Sequence, residues 1–106
     1  MRARAVVAVV VAVAAAACSE SPGPGGAVRE RGRQVYLSQC TSCHAIDPAQ
    51  PGPVGPEIKG SSRELLEAKM VRGIYPEGYR PKRRTTVMPP QPQVAGDIAA
   101  LAEYLR

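Results

Sequence analysis

The stretch Cys40-Thr41-Ser42-Cys43-His44 decides how the rest of this 106-residue chain is interpreted. Two cysteines separated by two residues and followed at once by histidine are typical of the attachment site of a c-type haem. Two thiols about one helical turn apart can each bond one vinyl group of the same porphyrin. His44, the only histidine in the sequence, would then supply the imidazole nitrogen for the iron. The motif predicts one haem c, held covalently through Cys40 and Cys43.

Two other interpretations of this motif stay open. A Cys-x-x-Cys pair can be a thiol–disulfide redox centre, although that chemistry is typical of a βαβ setting and gives His44 no role. A zinc site needs four ligands, usually from two separated pairs, whereas Cys40, Cys43 and His44 lie within five consecutive residues. Haem attachment is favoured because it uses all three side chains.

The N-terminal residues predict an exported protein. Met1-Arg2-Ala3-Arg4 is a short basic start, and residues 5–17 form an unbroken apolar run that closes on small residues. This order is typical of a secretory signal peptide, and the run is too short to cross a bilayer comfortably. We expect residues 1–17 to be a signal peptide, whose removal would lower the formal net charge from +5 to +3 by the loss of Arg2 and Arg4.

Cys18 follows the apolar run directly and resembles the cysteine of a bacterial lipobox, with Ala15 where leucine is usual. The resemblance implies cleavage before Cys18 and attachment of lipid to its thiol, which would anchor the protein to a membrane. The alternative is an ordinary cleaved signal with a stray cysteine. Residues 18–27, which include a Pro- and Gly-rich stretch, are then a tether, and residues 28–106 are the folded domain.

Three helices and almost no strand pattern are predicted in that domain. Helical spacing begins at Val28 and runs into the motif, and a last helix extends from about residue 95 to residue 105. Between them, Ser61 with Glu64 three residues later forms a capping box, and Gly73 ends that helix. Gly32 in the first helix suggests that another backbone comes close there.

The connecting loops, residues 45–60 and 74–93, are long for so small a domain unless they serve a function. The chain also contains no Phe and no Trp, so it cannot bury a large core by itself. A bound haem would give both loops something to wrap and would supply the missing apolar bulk. We therefore expect the apo form to be poorly folded.

The order of these features resembles class I cytochrome c over essentially all of residues 28–106. The matching positions are Gly32, Tyr36, the Cys-x-x-Cys-His motif, Gly55-Pro56, Met88-Pro89, Leu101 and Tyr104. The resemblance implies an all-α small cytochrome c fold, in which three main helices and long loops surround one covalently bound haem. It also implies that Gly32 and Tyr36 pack against the terminal helix near Leu101 and Tyr104.

The resemblance further implies roles for two residues outside the motif. The carbonyl of Pro56 would accept the ring N–H of His44 and so fix the tautomer of that imidazole. Met88 would bind the iron opposite His44, which raises the reduction potential and leaves no open coordination position. Met70 is the other methionine of the domain, but its helical spacing explains it as packing. Relatives commonly use tryptophan near a haem propionate, and here Tyr75, Tyr79 or an arginine from residues 80–84 could substitute.

These features predict a one-electron carrier and not an enzyme, because no acid–base constellation and no small-molecule substrate site can be assembled from the sequence. It would work in the periplasm or on the cell-surface side of a bacterial membrane, and an exported, lipid-tethered chain is not expected to bind nucleic acid. One alternative is a haem-bearing electron-transfer subunit of a larger membrane or periplasmic oxidoreductase. Another is a haem-based sensor of small ligands, which would require Met88 to be off the iron.

A basic cluster precedes Met88, with four cations in five residues: Arg80, Lys82, Arg83 and Arg84. Such a cluster can be a solvated loop or can face the haem propionates. It can also form a haem-edge surface that docks onto an acidic patch of a redox partner protein, where electrostatic steering speeds the encounter.

Overall fold

The computed structural model of this protein describes residues 11–12 and 23–106. The predicted lipid-attachment residue Cys18 and, apart from residues 11–12, the predicted signal peptide lie outside the described residues, as do tether residues 19–22. The described part contains three α-helices and no strand: α1 is Pro24–Gln39, α2 is Arg63–Glu67 and α3 is Ile98–Leu105. A π-helical turn, Ala68–Arg72, continues α2, and a 3-10 helix, Pro92–Asp97, leads into α3. The all-α prediction is therefore confirmed, and none of these helices is long and apolar enough to cross a bilayer.

α1 begins earlier than predicted, at Pro24 instead of Val28. Proline suits the first position of a helix, because its fixed φ matches the helix and its missing N–H would have no partner there. The N–H of Ala27 already donates to the carbonyl of Gly23 at 3.0 Å. Residues 24–27, which composition assigned to the tether, thus form the first turn of α1.

α1 and α3 cross at Gly32, as the glycine suggested. A Cβ at Gly32 would collide with the carbonyl group of Ala100 and would lie 2.9 Å from the Cβ of Tyr104. Next to this crossing the rings of Tyr36 and Tyr104 pack with centroids 5.5 Å apart. The close crossing offsets the helix propensity that glycine loses, which is about 1 kcal/mol relative to alanine.

The start of α2 is one residue later than the predicted capping box. Ser62, not Ser61, is the N-cap, and its Oγ accepts a hydrogen bond from the N–H of Leu65 at 3.1 Å. The hydroxyl of Ser61 instead donates to the carbonyl of Ile58 at 2.6 Å and so closes the preceding loop. The predicted end at Gly73 is confirmed, since that residue has φ 67° and donates its N–H to the carbonyl of Ala68.

The hydrophobic core is small and lies between α1, α3 and the helical segment 63–72. Its largest fully buried side chains are Tyr36, Leu101 and Leu105. Met70 is 5% exposed and belongs to this core, in agreement with its helical spacing. Residues 45–60 contain no helix or strand, as the prolines and glycines predicted. The loops therefore depend on contacts other than regular secondary structure.

Candidate cofactor site

α1 ends at Gln39, and the Cys-x-x-Cys-His motif that follows it forms a further turn of the backbone. The N–H of Cys40 donates to Tyr36 and the N–H of His44 donates to Cys40, each to the backbone carbonyl at 2.9 Å. This turn brings Cys40, Cys43 and His44 to the wall of one cavity. The three side chains that covalent haem attachment requires therefore face a common space.

The cavity is lined by the haem motif, by both long loops and by residues of the helices. It contains about 1160 Å³ of space not filled by atoms, its open mouth included. Apolar residues from the core form much of its wall, among them Tyr36, Leu65, Leu66, Met70, Leu101 and Leu105. A porphyrin there would extend the core that the chain itself leaves small.

His44 is the one polar or charged side chain that is buried in the described part, at 6% exposure. Its Nδ1 lies 2.8 Å from the carbonyl oxygen of Pro56. Because a carbonyl only accepts hydrogen bonds, Nδ1 carries the proton and Nε2 keeps its lone pair. Nε2 makes no hydrogen bond to any described residue. The ring is thus fixed in the tautomer that a metal ligand needs.

Gly55 holds the imidazole from one face. A Cβ at this position would lie 2.6 Å from Nδ1 and 2.8 Å from Nε2 of His44. The N–H groups of Val54 and Gly55 also both donate to the carbonyl of Cys43, at 3.2 and 2.8 Å. The sequence marked Gly55 only as part of a Gly-Pro pair, and its contact with the ring was not foreseen. The loop therefore fixes both the backbone and the ring of the motif.

Cys40 and Cys43 are free thiols, and both are half-buried. Burial raises the pKa of Cys40 to about 11, so this thiol is protonated at neutral pH. Thiol–disulfide redox centres instead lower the pKa of the attacking cysteine. The burial of Cys40 therefore does not favour it as the attacking thiol of such a centre. Within residues 23–106, no group of three or more His, Cys, Asp or Glu side chains is arranged to hold a metal ion.

Met88 lines the same cavity as His44 and packs, half-buried, against the core. The chain after it is attached to the helical segment 63–72, since the N–H of Gln91 donates to the carbonyl of Met70 at 2.7 Å. The structure thus brings the two predicted iron ligands to one cavity. That Met88 binds the iron stays a prediction.

The structure divides the basic cluster into two pairs. Lys82 and Arg83 line the cavity and donate to backbone carbonyls of the loop 45–60. Arg80 and Arg84 are exposed and make no hydrogen bond or ion pair with another described residue. Four of the residues suggested as haem propionate partners or basic neighbours line the cavity: Tyr75, Tyr79, Lys82 and Arg83.

The residues present fit a covalently bound haem. The two thiols can form thioethers, the neutral imidazole has a free Nε2, and the cavity is mainly apolar. No single one of these features requires haem, but the donor set and the cavity together match its chemistry.

Comparison with known families agrees with this geometry. The family model described as cytochrome c oxidase, cbb3-type, subunit III, matches residues 27–105. That range includes the motif, both long loops, α2, α3 and α1 from Ala27 onward. No curated protein and no solved structure matches the chain.

Proposed function

This chain belongs to the c-type cytochrome family of cytochrome c oxidase, cbb3-type, subunit III, and from that premise we propose a one-electron carrier with His44 and Met88 as the axial ligands of one haem c. Membership of a cytochrome c family implies covalent haem c and haem-based electron transfer. The observation that carries the axial-ligand proposal is that Met88, His44 and both motif cysteines line a single cavity. The cofactor would supply a ferric–ferrous couple when bound.

Each of these residues has a distinct task in the proposal. Cys40 and Cys43 hold the porphyrin through thioether bonds, and His44 holds the iron through Nε2 while Pro56 keeps the proton on Nδ1. Met88 occupies the remaining coordination position and so excludes small ligands. The chain moves no proton and binds no substrate in this scheme, so a one-electron exchange requires little rearrangement of its side chains.

The pyridine haemochrome spectrum of protein from a host with c-type maturation tests the cofactor. We expect one haem c for each chain, and a colourless product with two free thiols would overturn the proposal. Met88→Ala tests the axial ligand and should abolish the thioether-to-iron charge-transfer absorption of the ferric protein. Met70→Leu is the matched control, because Met70 lies in the core, and it should retain that absorption. An unchanged spectrum in Met88→Ala would remove Met88 as ligand and favour a small-ligand sensor.

We also propose that the protein is exported and anchored to a bacterial membrane through lipid on Cys18. Domains of this family are generally exported and non-cytoplasmic. The support within the chain is the order of basic start, apolar run and cysteine in residues 1–18. Mass spectrometry of the purified protein should find acyl chains on residue 18. Cys18→Ala should move the protein from the membrane to the soluble fraction, and an unchanged distribution would contradict the anchor.

The redox partner is proposed to be a protein with an acidic patch that meets the surface of Arg80, Lys82, Arg83 and Arg84. Arg80 and Arg84 support this best, because they are exposed and have no partner among the described residues. Reversing both to Glu should slow electron transfer to the native partner and weaken its salt dependence. An unchanged rate and salt dependence would rule out docking at this surface.

The family name favours a second possibility, that the chain is the haem-bearing subunit of a larger oxidoreductase. Mild detergent extraction followed by affinity purification distinguishes the two. A stoichiometric larger subunit in the purified material would identify a complex, and a monodisperse small haem protein would identify a free carrier.

A further inference from the structure

The loop that carries Met88 is attached to the domain on both sides of that residue. After Met88, Pro90 packs against Gly73 and the N–H of Gln91 is bonded to the backbone of Met70. Residues 84–87, which precede it, are exposed and make no hydrogen bond to another described residue. On that side, the loop is therefore attached through the two residues before this exposed stretch, Lys82 and Arg83.

Lys82 and Arg83 line the cavity and bind the loop 45–60. Lys82 Nζ donates to the carbonyl oxygen of Glu57 at 2.7 Å and lies 3.4 Å from Oε1 of the same residue. Arg83 Nη1 donates to the carbonyl oxygen of Val54 at 2.5 Å, and Nη2 donates to that of Gly52 at 3.4 Å. Two adjacent cationic side chains thus bind three backbone carbonyls of one loop, those of Gly52, Val54 and Glu57.

The loop that they bind is the one that fixes His44. Val54 lies directly before Gly55, which covers the imidazole, and Glu57 directly follows Pro56, which holds Nδ1. Hydrogen bonds from an ionised donor are stronger than neutral ones. Both residues are ionised donors, but Arg83 is half-buried, whereas the side chain of Lys82 is 41% exposed to solvent. Arg83 should therefore contribute more than Lys82 to the connection between the two loops.

We propose that Lys82 and Arg83 form a strap that holds the Met88 loop against the loop 45–60 and thereby controls how readily Met88 leaves the haem iron. The inference rests on the proposed ligation by Met88, and it makes Lys82 and Arg83 positioning residues. An external ligand can bind only when Met88 is off the iron, so its apparent affinity rises in proportion to the population of that state. Loosening the strap should raise the affinity for the external ligand without replacing His44 or Met88.

Imidazole titration of the full-length, haem-loaded ferric protein measures that population. The signal is loss of the thioether-to-iron charge-transfer absorption. Arg83→Met removes both bonds of a half-buried guanidinium and should raise the imidazole affinity about tenfold. Lys82→Met should raise it about threefold because the ammonium is partly exposed. Arg83→Lys keeps the charge but cannot span two carbonyls, so it should fall between wild type and Arg83→Met.

Arg84→Met is the matched control. It removes the same charge from the next residue, which has no hydrogen-bond or ion-pair partner among the described residues, and should leave the imidazole affinity unchanged. Equal affinities in the Arg83→Met, Lys82→Met and Arg84→Met proteins would overturn the strap. If Arg83→Met fails to incorporate haem, Arg83→Lys and Lys82→Met provide the same comparison.

Failure of the strap and failure of the proposed ligation give different results. A wild-type protein without the charge-transfer absorption, or a Met88→Ala protein that retains it, would show that Met88 is not the ligand, and the strap would be rejected with it. A normal absorption that Met88→Ala abolishes, combined with no effect at Lys82 and Arg83, would reject the strap alone.

Discussion

The two long loops of this domain are held in different ways. The loop 45–60 is bonded to the motif by backbone groups, since Val54 and Gly55 donate to Cys43 and the carbonyl of Pro56 binds the ring of His44. The loop 74–91 has a backbone bond at its end, from Gln91 to Met70, but before Met88 it is held to the loop 45–60 by the side chains of Lys82 and Arg83.

We call the side of the cavity formed by His44 and the loop 45–60 the fixed side, and the side formed by Met88 and the loop 74–91 the adjustable side. Backbone hydrogen bonds need no side-chain ordering, whereas long cationic side chains lose rotamer entropy when they bind. The His44 side should therefore be the more rigid one, and the Met88 side should be the first to open under stress. The predictions below test this contrast, from the largest expected effect to the smallest.

Gly55→Ala should cause the largest loss, because its new methyl group would collide with three ring atoms of His44, Cε1, Nδ1 and Nε2. Overpacking a buried site costs about 1–3 kcal/mol, and here the backbone on both sides is bonded to the motif, so we expect about 3 kcal/mol or more. Denaturant unfolding of the haem-loaded protein measures the loss.

Gly96→Ala is the control for that substitution, because a Cβ there meets nothing within 4 Å. It should leave stability unchanged or slightly raised, since alanine restricts the unfolded chain more than glycine does. If Gly55→Ala were as stable as Gly96→Ala, the loop 45–60 would not be the fixed side.

Gly73→Ala tests the attachment after Met88. The residue has φ 67°, and a Cβ there would lie 2.7 Å from Cγ of Pro90. Left-handed backbone alone costs a non-glycine residue about 1–2 kcal/mol, and displacing Pro90 should add about 1 kcal/mol. Gly60→Ala measures the cost of the left-handed backbone alone, because Gly60 has φ 82° and a Cβ there would have no neighbour within 4 Å. Equal unfolding free energies for the two variants would mean that Pro90 does not anchor the Met88 loop.

The sequence predicted the fixed side of the cavity better than the adjustable side. Helical spacing, the haem motif and Gly55-Pro56 are local patterns, and the structure departs from them in where the helices begin. α3 begins at Ile98 instead of about residue 95, after the 3-10 helix Pro92–Asp97, and the starts of α1 and α2 are shifted as well. Two adjacent capping serines and a helix-starting proline in a Gly-rich stretch explain the shifts of α1 and α2. The hydrogen bonds of Lys82 and Arg83 could not be predicted, because their acceptors are backbone carbonyls 25 to 31 residues away. Every residue has a backbone carbonyl, so no residue type identifies the acceptor.

Tyr36→Phe should destabilise the fixed side by a smaller amount. Its hydroxyl donates to the carbonyl of Ala45, directly after the motif, and removing the donor leaves that carbonyl without this bond at a cost of about 1–2 kcal/mol. Burial, with smaller contributions from nearby charges, raises the pKa of Tyr36 from 10.0 to about 12.

The native state therefore retains the Tyr36 proton more tightly than the unfolded state does. The resulting contribution to folding stability is full below pH 10 and is lost as the pH rises through about 12. The stability difference between wild type and Tyr36→Phe should shrink over that interval. Tyr104→Phe, whose hydroxyl has no hydrogen-bond partner among the described residues, should show little difference at any pH. A constant difference for Tyr36→Phe from pH 8 to about 12 would exclude the buried hydroxyl as its cause.

Glu57→Gln should have the smallest effect, and it acts where the two loops meet. Its own backbone N–H, followed by the charge of Lys82, lowers the pKa of this carboxyl below 4.5. A lowered pKa contributes stability that is present above the unfolded value and is lost as the pH falls through the folded one. Glu57→Gln should thus be slightly less stable than wild type at pH 7, and the difference should shrink as the pH falls below 4.5 and the carboxylate is protonated, with Glu77→Gln as a control in the same Met88 loop. Since Lys82 keeps its bond to the backbone carbonyl in Glu57→Gln, the imidazole affinity should change less than in Lys82→Met. An equal change would mean that the carboxylate, not the backbone, holds the strap.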